Sequence, residues 1–323
     1  MAGICTITFN PCIDKSTSIT ALKPEKKLAC AAPVFQPGGG GINVARAIKK
    51  LGGEAVAIYP SGGYSGKFLD LLLKKENIST IQIETEQHTR ENMIVLDKAT
   101  NQQYRFGMPG QYLSENEWQQ CLKATEESPS GFIVASGSLP PGMPEDIFAR
   151  VSKIAKKRNR KLIVDSSGEA LRLAIKEGVY LIKPNLGELS TLAGKEELGS
   201  DEIVPVARDL IFKGNCEIVV VSMGALGAML ITKDHAYRAA APIVKKQTTV
   251  GAGDSMVAGI VFYISQKKTL EESLNYGIAC GTAATLNTGT SLCKKEDVER
   301  LYEQINNDRK LSQTQLGNDI NGQ

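Results

Sequence analysis

Imidazole is scarce in this chain: only His88 and His235 occur in 323 residues, and there is one tryptophan. With so few histidines, the candidate general bases are carboxylates. Cysteine pairing motifs are missing as well. The seven cysteines include no C-x-x-C pair, and an odd count without metal spacing reads as reduced, buried thiols in a cytoplasmic protein. Cys12, beside a polar stretch, is the one expected at the surface. Long apolar runs are absent. The longest, Met256 to Ile264, has nine residues and is too short to span a bilayer. The opening residues MAGICTITFN read as a strand, without the charged start and cleavage site of a signal peptide. Charge of one sign is lacking too: a formal +3 spread along the chain argues against a nucleic-acid or membrane surface.

What is present is globular composition, 42% hydrophobic and 23% charged, in a length that suits one large α/β domain or two ordinary ones. From about Asn43 onward, short β-rich runs alternate with helical patterns. Ala55 to Tyr59, Phe132 to Ala135, Leu162 to Asp165, Val179 to Ile182 and Ile218 to Ser222 read as strands buried on both faces. That predicts a three-layer α/β/α core with a mostly parallel central sheet. Two segments break the rhythm: Ile13 to Gln36 and His88 to Gly107 are polar, alternating and helix-poor. They are expected to form a small antiparallel β-sheet lid. Without a repeat or linker, residues 1–305 read as one domain, and the Asn/Gln/Asp-rich residues 306–323 as a mobile tail.

Three glycine clusters compete as phosphate sites. Ser61 to Phe68 imitates a P-loop, but its spacing is one short and Phe68 replaces the metal-binding hydroxyl, so a strand-to-helix turn is expected. Gly38 to Gly41 lets backbone approach a ligand just before a helix starting at Asn43, which is otherwise a plain N-cap. Thr248 to Ser255 contains Gly251-Ala252-Gly253-Asp254 and opens onto the apolar helix Met256 to Ile264. Free N–H groups there stabilise charge on a transferring phosphoryl group. Asp254, in the first turn, is either a helix cap or the base for an attacking alcohol. No strand leads into G-x-G-x-x-G with an acidic residue about 20 positions on, which argues against a dinucleotide-binding dehydrogenase.

Gly251 to Asp254 together with Gly38 to Ala45 resemble the two signature regions of the ribokinase-like (PfkB) sugar kinases, and the similarity extends over nearly all of Ile4 to Tyr302. Ala32 to Pro37, Ile163 to Leu171 and Ala283 to Thr290 resemble most the branch acting on fructose 6-phosphate. The kinases of fructose 1-phosphate and tagatose 6-phosphate usually carry Lys in place of Gly40, and remain the nearest alternatives. A non-catalytic nucleotide or sugar-phosphate sensor is the alternative of another class.

The resemblance implies a cytoplasmic enzyme that moves the γ-phosphoryl group of ATP, with Mg2+, to the C1 hydroxyl of fructose 6-phosphate. Asp254 is then the base, and Gly251, Ala252 and Gly253 the anion hole. Asp14, Gly39, Asn43 and Ser138 hold the sugar, while Arg90, with Arg105 as a weaker second, grips its phosphate. Lys183, Asn185, Ser222, Gly224, Gly227 and Thr282 face the nucleotide, and Glu188 the Mg2+ through water. By spacing alone, Asn185 and Glu188 are also a capping box. Thr248, Val250, Ala284, Asn287, Gly289 and Ser291 match a monovalent-cation site for K+. A homodimer through the lid is implied, with Lys27 reaching the neighbouring site and a second, inhibitory ATP in the dimer cleft. Ala29, where relatives often have Arg, departs from that pattern.

Overall fold

The computed structural model describes residues 3–287 and 289–320, with side chains through Asp308. Strand β1 (Ile4–Ile7) is followed by β2 (Cys12–Ile19), β3 (Val34–Gly38), α1 (Gly40–Lys50), β4 (Ala55–Gly62), α2 (Gly63–Lys75) and β5 (Ser79–Thr85). Next come β6 (Arg90–Asp97), β7 (Gln102–Phe106), α3 (Glu115–Glu127), β8 (Phe132–Ser136), α4 (Ile147–Lys157), β9 (Lys161–Asp165) and α5 (Gly168–Glu177). The chain continues through β10 (Val179–Ile182), α6 (Leu186–Leu192), α7 (Ile203–Gly214), β11 (Cys216–Ser222), β12 (Ala228–Ile231) and β13 (Ala236–Ala239). It closes with α8 (Ala252–Ser265), α9 (Leu270–Thr285) and α10 (Lys295–Ile320).

The expected apolar runs become parallel neighbours in the order β11-β10-β9-β8-β1-β4-β5, and β12 and β13 add an antiparallel edge beside β11. Alternating side chains divide the strands between two cores. On one face Ala57 and Val134 pack with Ile42, Leu69, Val257, Leu274 and Leu301, bringing in α1, α2, α8, α9 and α10. On the other, Ile7 and Ile133 pack with Trp118, Phe148, Leu171, Leu189 and Ala207, bringing in α3 to α7. Burial on both faces is what gave these strands continuous apolar runs. The mostly exposed β5 carries no such run.

Strands β3-β2-β6-β7 form the separate small sheet. It is not purely antiparallel as expected: β2 and β6 run parallel, pairing Cys12 with Arg90 and Asp14 with Asn92. The reason is topological. Both strands leave the same edge of the main sheet, after β1 and β5, which themselves run in one direction. Val34 is 57% and Met93 38% exposed on this sheet, whereas Val95 is buried and Phe35 packs against Phe68. Cys12, at the start of β2, is buried rather than exposed, and Cys30 is the exposed thiol. Helix α1 begins at Gly40, a turn before the expected Asn43. The residues from Asn306, expected as a tail, continue α10 to Ile320, while 321–323 lie outside the described residues. No described helix is long and apolar enough to cross a membrane.

Candidate active site

The C-terminal edge of a parallel sheet is where open α/β folds gather ligands, because loops diverge there and helices present their N-termini. Here β9 ends in Asp165, β10 runs into Lys183, and β11 ends in Ser222. Helices α1 and α8 start above the same edge.

Glycine is required where α1 meets the sheet. A Cβ on Gly40 would stand 2.7 Å from the backbone nitrogen of Gly137, just past β8. Gly39, the N-cap, has φ 110°, a conformation that L side chains rarely adopt. Ile42 N–H donates to Thr8 Oγ1 at 2.8 Å, which ties the helix start to β1. Asn43 is therefore no cap, and its side chain is free for other work.

That side chain meets Asp254. Helix α8 is capped by Gly251, at φ 73° and without a side-chain cap, so the capping alternative for Asp254 is excluded. Instead Asp254 Oδ2 accepts a 2.9 Å hydrogen bond from Asn43 Nδ2. Burial and the neighbouring carboxylates Asp165 and Asp14 push the Asp254 carboxyl up to about 6, against the opposing pull of Asn43 and Lys183. A carboxylate so placed is ionised at neutral pH yet basic enough to take a proton.

Lys183 and Asp165 form a buried pair, Nζ to Oδ1 3.2 Å. Burial alone would depress the ammonium, but Asp165, with Glu188 and Asp254 farther out, holds it above the ordinary lysine value. Asp165 was not among the site residues expected from sequence. Its signal was available, as the acidic end of a buried apolar strand.

A cleft of about 240 Å³ between the small sheet and the main domain brings together Asp14, Gly39, Arg90, Arg105 and Val250. Asn92 Nδ2 donates to Asp14 Oδ1 at 3.0 Å. Arg90 donates to the carbonyls of Met108 (3.1 Å) and Asn10 (3.0 Å), and Arg105 reaches Thr249 Oγ1 at 3.2 Å. Ser138 Oγ accepts from Asn10 Nδ2 at 3.1 Å.

Asn185 and Glu188 form a true capping box on α6, with both bonds at 2.9 Å, and also line a 660 Å³ cleft with Glu169 and Arg172. Ser222 bridges to Asn185, and its N–H donates to the Pro184 carbonyl at 3.0 Å. Gly224 (φ 59°) and Gly227 (φ 90°) make the turn that follows, and Thr282 is buried on α9. The loop carrying Thr248 and Val250 is tied to the end of α9 through Gln247 N–H and the Thr285 carbonyl, 2.8 Å. Nearby, Asn287 Nδ2 donates to the carbonyls of Ala283 and Leu292, Asn287 N–H donates to the Ala284 carbonyl, Gly289 has φ 68°, and Ser291 Oγ accepts from Gln36. Among the described residues no cluster of three or more His, Cys, Asp or Glu is arranged to hold a metal. Lys27 lies exposed in the β2–β3 loop, outside these clefts.

Comparison with known proteins fits this geometry. The model of the pfkB family of carbohydrate kinases matches residues 2–297. ATP-dependent 6-phosphofructokinase isozyme 2 of Escherichia coli is 44% identical over 94% of this chain and 98% of its own length. A 1-phosphofructokinase of Borreliella burgdorferi is 31% identical over 94% and 97%. The crystal structure of Escherichia coli phosphofructokinase-2 in complex with potassium superposes with a TM-score of 0.92 at 43% identity, covering 95% of this chain and 100% of that one. Structures of the same protein with fructose-6-phosphate, and in a tetrameric inhibited form, each superpose at 0.90 and 42% identity, covering the same shares.

Proposed function

The chain belongs to the pfkB family of carbohydrate kinases, and on that premise we propose that it transfers the γ-phosphoryl group of MgATP to the C1 hydroxyl of fructose 6-phosphate, a cytoplasmic glycolytic reaction giving fructose 1,6-bisphosphate. The observation that carries the reading is the setting of Asp254: at the start of α8, released from capping, and held by Asn43. Asp254 takes the proton of the C1 hydroxyl. The hydroxyl oxygen forms a bond to the γ-phosphorus as the bond to the β-phosphate oxygen breaks, and ADP leaves. The N–H groups of Gly251, Ala252 and Gly253 stabilise charge on the moving group, with Lys183 beside them: a Cβ on Gly253 would lie 3.7 Å from its Nζ.

Asp14, Gly39, Asn43 and Ser138 orient the sugar, and Arg90 and Arg105 take its phosphate. Asn185, Ser222, Gly224, Gly227 and Thr282 hold the nucleotide, and Glu188 would be the carboxylate that reaches its Mg2+ through water. Neutral oxygens of Thr248, Val250, Ala284, Asn287, Gly289 and Ser291 suit a monovalent cation such as K+ better than Mg2+, which favours carboxylates. Exposed Val34 and Met93 support a homodimer through the small sheet, with the partner's Lys27 reaching the nucleotide in the neighbouring site.

The test is ADP release with fructose 6-phosphate, tagatose 6-phosphate, fructose 1-phosphate and fructose, with product position read by NMR. Fructose 6-phosphate is expected to give the highest kcat/KM and phosphorylation at C1. A preference for either alternative sugar phosphate overturns the substrate, and no turnover with any of them overturns the kinase reading. Arg90→Ala should raise KM for the sugar phosphate but not for ATP, by about 10-fold or more, as befits one charge-assisted contact.

A further inference from the structure

Behind Asn43 lies a charged pair that no part of the reaction scheme uses. Arg46, one turn further along α1, is only 1% exposed. Its Nε and Nη2 donate to the two oxygens of Glu76, at 2.8 and 2.6 Å, in a bidentate pair. Its Nη1 donates to the Pro37 carbonyl at 2.7 Å and to Asn43 Oδ1 at 3.1 Å. One guanidinium thus braces both the entry to the glycine loop and the side chain that holds Asp254.

The chemistry of that chain is directional. A guanidinium only donates and an ionised carboxylate only accepts, so an amide between them satisfies both in a single orientation. With Oδ1 toward Arg46, the Asn43 amide must present Nδ2 to Asp254 Oδ2. The flipped amide would set donor against donor and acceptor against acceptor. Lysine would not substitute, because one ammonium does not reproduce a planar fork that meets Glu76, Pro37 and Asn43 together. Glu76 neutralises the buried cation and holds its plane. The Asn43 bond engages Asp254 Oδ2, so the other carboxylate oxygen is the one offered to the acceptor hydroxyl.

We propose that Arg46, locked by Glu76, is a positioning residue for phosphoryl transfer: it sets the polarity of the Asn43 amide and through it the orientation of the Asp254 carboxylate. This rests on the reading of Asp254 as the base. Besides Asn43, the charged groups facing Asp254 are Asp165, Asp14 and Lys183, and none of them is held by Arg46. The hydrogen-bonded route from Arg46 to Asp254 runs through the Asn43 amide.

The test pairs Arg46→Met with Glu76→Gln, so that no bare charge is left inside. The folded variant should bind a non-hydrolysable ATP analogue within about twofold of the parent, while kcat falls about 10-fold or more and KM for MgATP stays. The acid limb of kcat should move to higher pH, because the fixed donor to Asp254 is lost. Arg46→Lys, which keeps the charge, should move the limb in the same direction if the double variant does not fold. An unmoved limb with unchanged kcat in a folded variant overturns the proposal. Titration of the Asp254 carboxyl by 13C NMR, assigned with Asp254→Asn, needs no substrate. If no sugar phosphate is turned over, the kinase reading fails by itself, and the titration still decides the positioning. A raised Asp254 value in the variant supports it, and equal values overturn it.

Discussion

Asp254 is where local structure and chemistry pull apart. A carboxylate in the first turn of α8 is well placed for the helix N-terminus, yet burial beside Asp165 and Asp14 makes its ionised form costly. Activity should therefore fall as the pH drops through about 6, since the protonated carboxyl cannot accept the sugar proton. A pH profile of kcat flat down to pH 5 would remove it as the base. Stability runs the other way. The folded value lies above the ordinary carboxylate value, so ionised Asp254 disfavours the native state. That penalty is absent below about pH 4, grows between pH 4 and 6, and is complete above. Asp254→Asn should accordingly lose about 100-fold or more in kcat, keep nucleotide affinity, and gain on the order of 1–2 kcal/mol at pH 7.5 after screening by the open cleft. Denaturant melts at pH 4 and 7.5 check this: a gain at pH 4 as large as at pH 7.5 would contradict the linkage.

At the scale of elements, the candidate site is built on two helix N-termini held close to one sheet edge. For α1 the closeness comes from absent side chains: a Cβ on Gly40 would meet the backbone of Gly137, and one on Gly41 would lie 2.7 Å from the Ile7 carbonyl oxygen. For α8 it comes from packing against α9, where a Cβ on Gly277 would press on Ile260 and one on Gly259 on Cys280. Gly40→Ala must push α1 away from the end of β8. An overpacking cost of about 1–3 kcal/mol is expected, with kcat/KM for the sugar phosphate falling more than nucleotide affinity. Calorimetric melting and steady-state kinetics would test it, and an unchanged Tm would mean that the α1 junction has slack.

The whole molecule raises the question of what covers the small sheet. Val34, Met93 and Phe106 are exposed on it: Met93 and Phe106 share the face of Phe35, which meets Phe68 of α2 at 5.3 Å between ring centroids, and Val34 is on the other face. Two copies pairing these sheets would bury exposed apolar side chains such as Met93 and Phe106 and bring Lys27 toward the neighbouring cleft. Val34→Glu with Met93→Glu is expected to shift the assembly to monomer and raise KM for the sugar phosphate, as seen by light scattering and kinetics. Monomeric parent protein at working concentration would rule out the pairing. High MgATP at low sugar phosphate is expected to inhibit the dimer, and plain hyperbolic ATP kinetics would remove the inhibitory site while sparing the interface.

Much of this was legible in the chain because it is encoded locally. Continuous apolar runs announced the parallel strands, and the glycine clusters announced both helix starts, since burial on two faces and close backbone approach each restrict residue type at the position itself. The parallel pairing of β2 and β6 was not legible, because it follows from the edge both strands leave rather than from their own alternation. Nor were the Asp165–Lys183 pair, the bond between Asn43 and Asp254 across 211 residues, or the Arg46–Glu76 lock. Residue types allowed these partners, but a carboxylate, an amide and a guanidinium each accept many. Only strand order and helix placement bring these particular ones within 3.2 Å, and a hydrogen bond has strength only at that range.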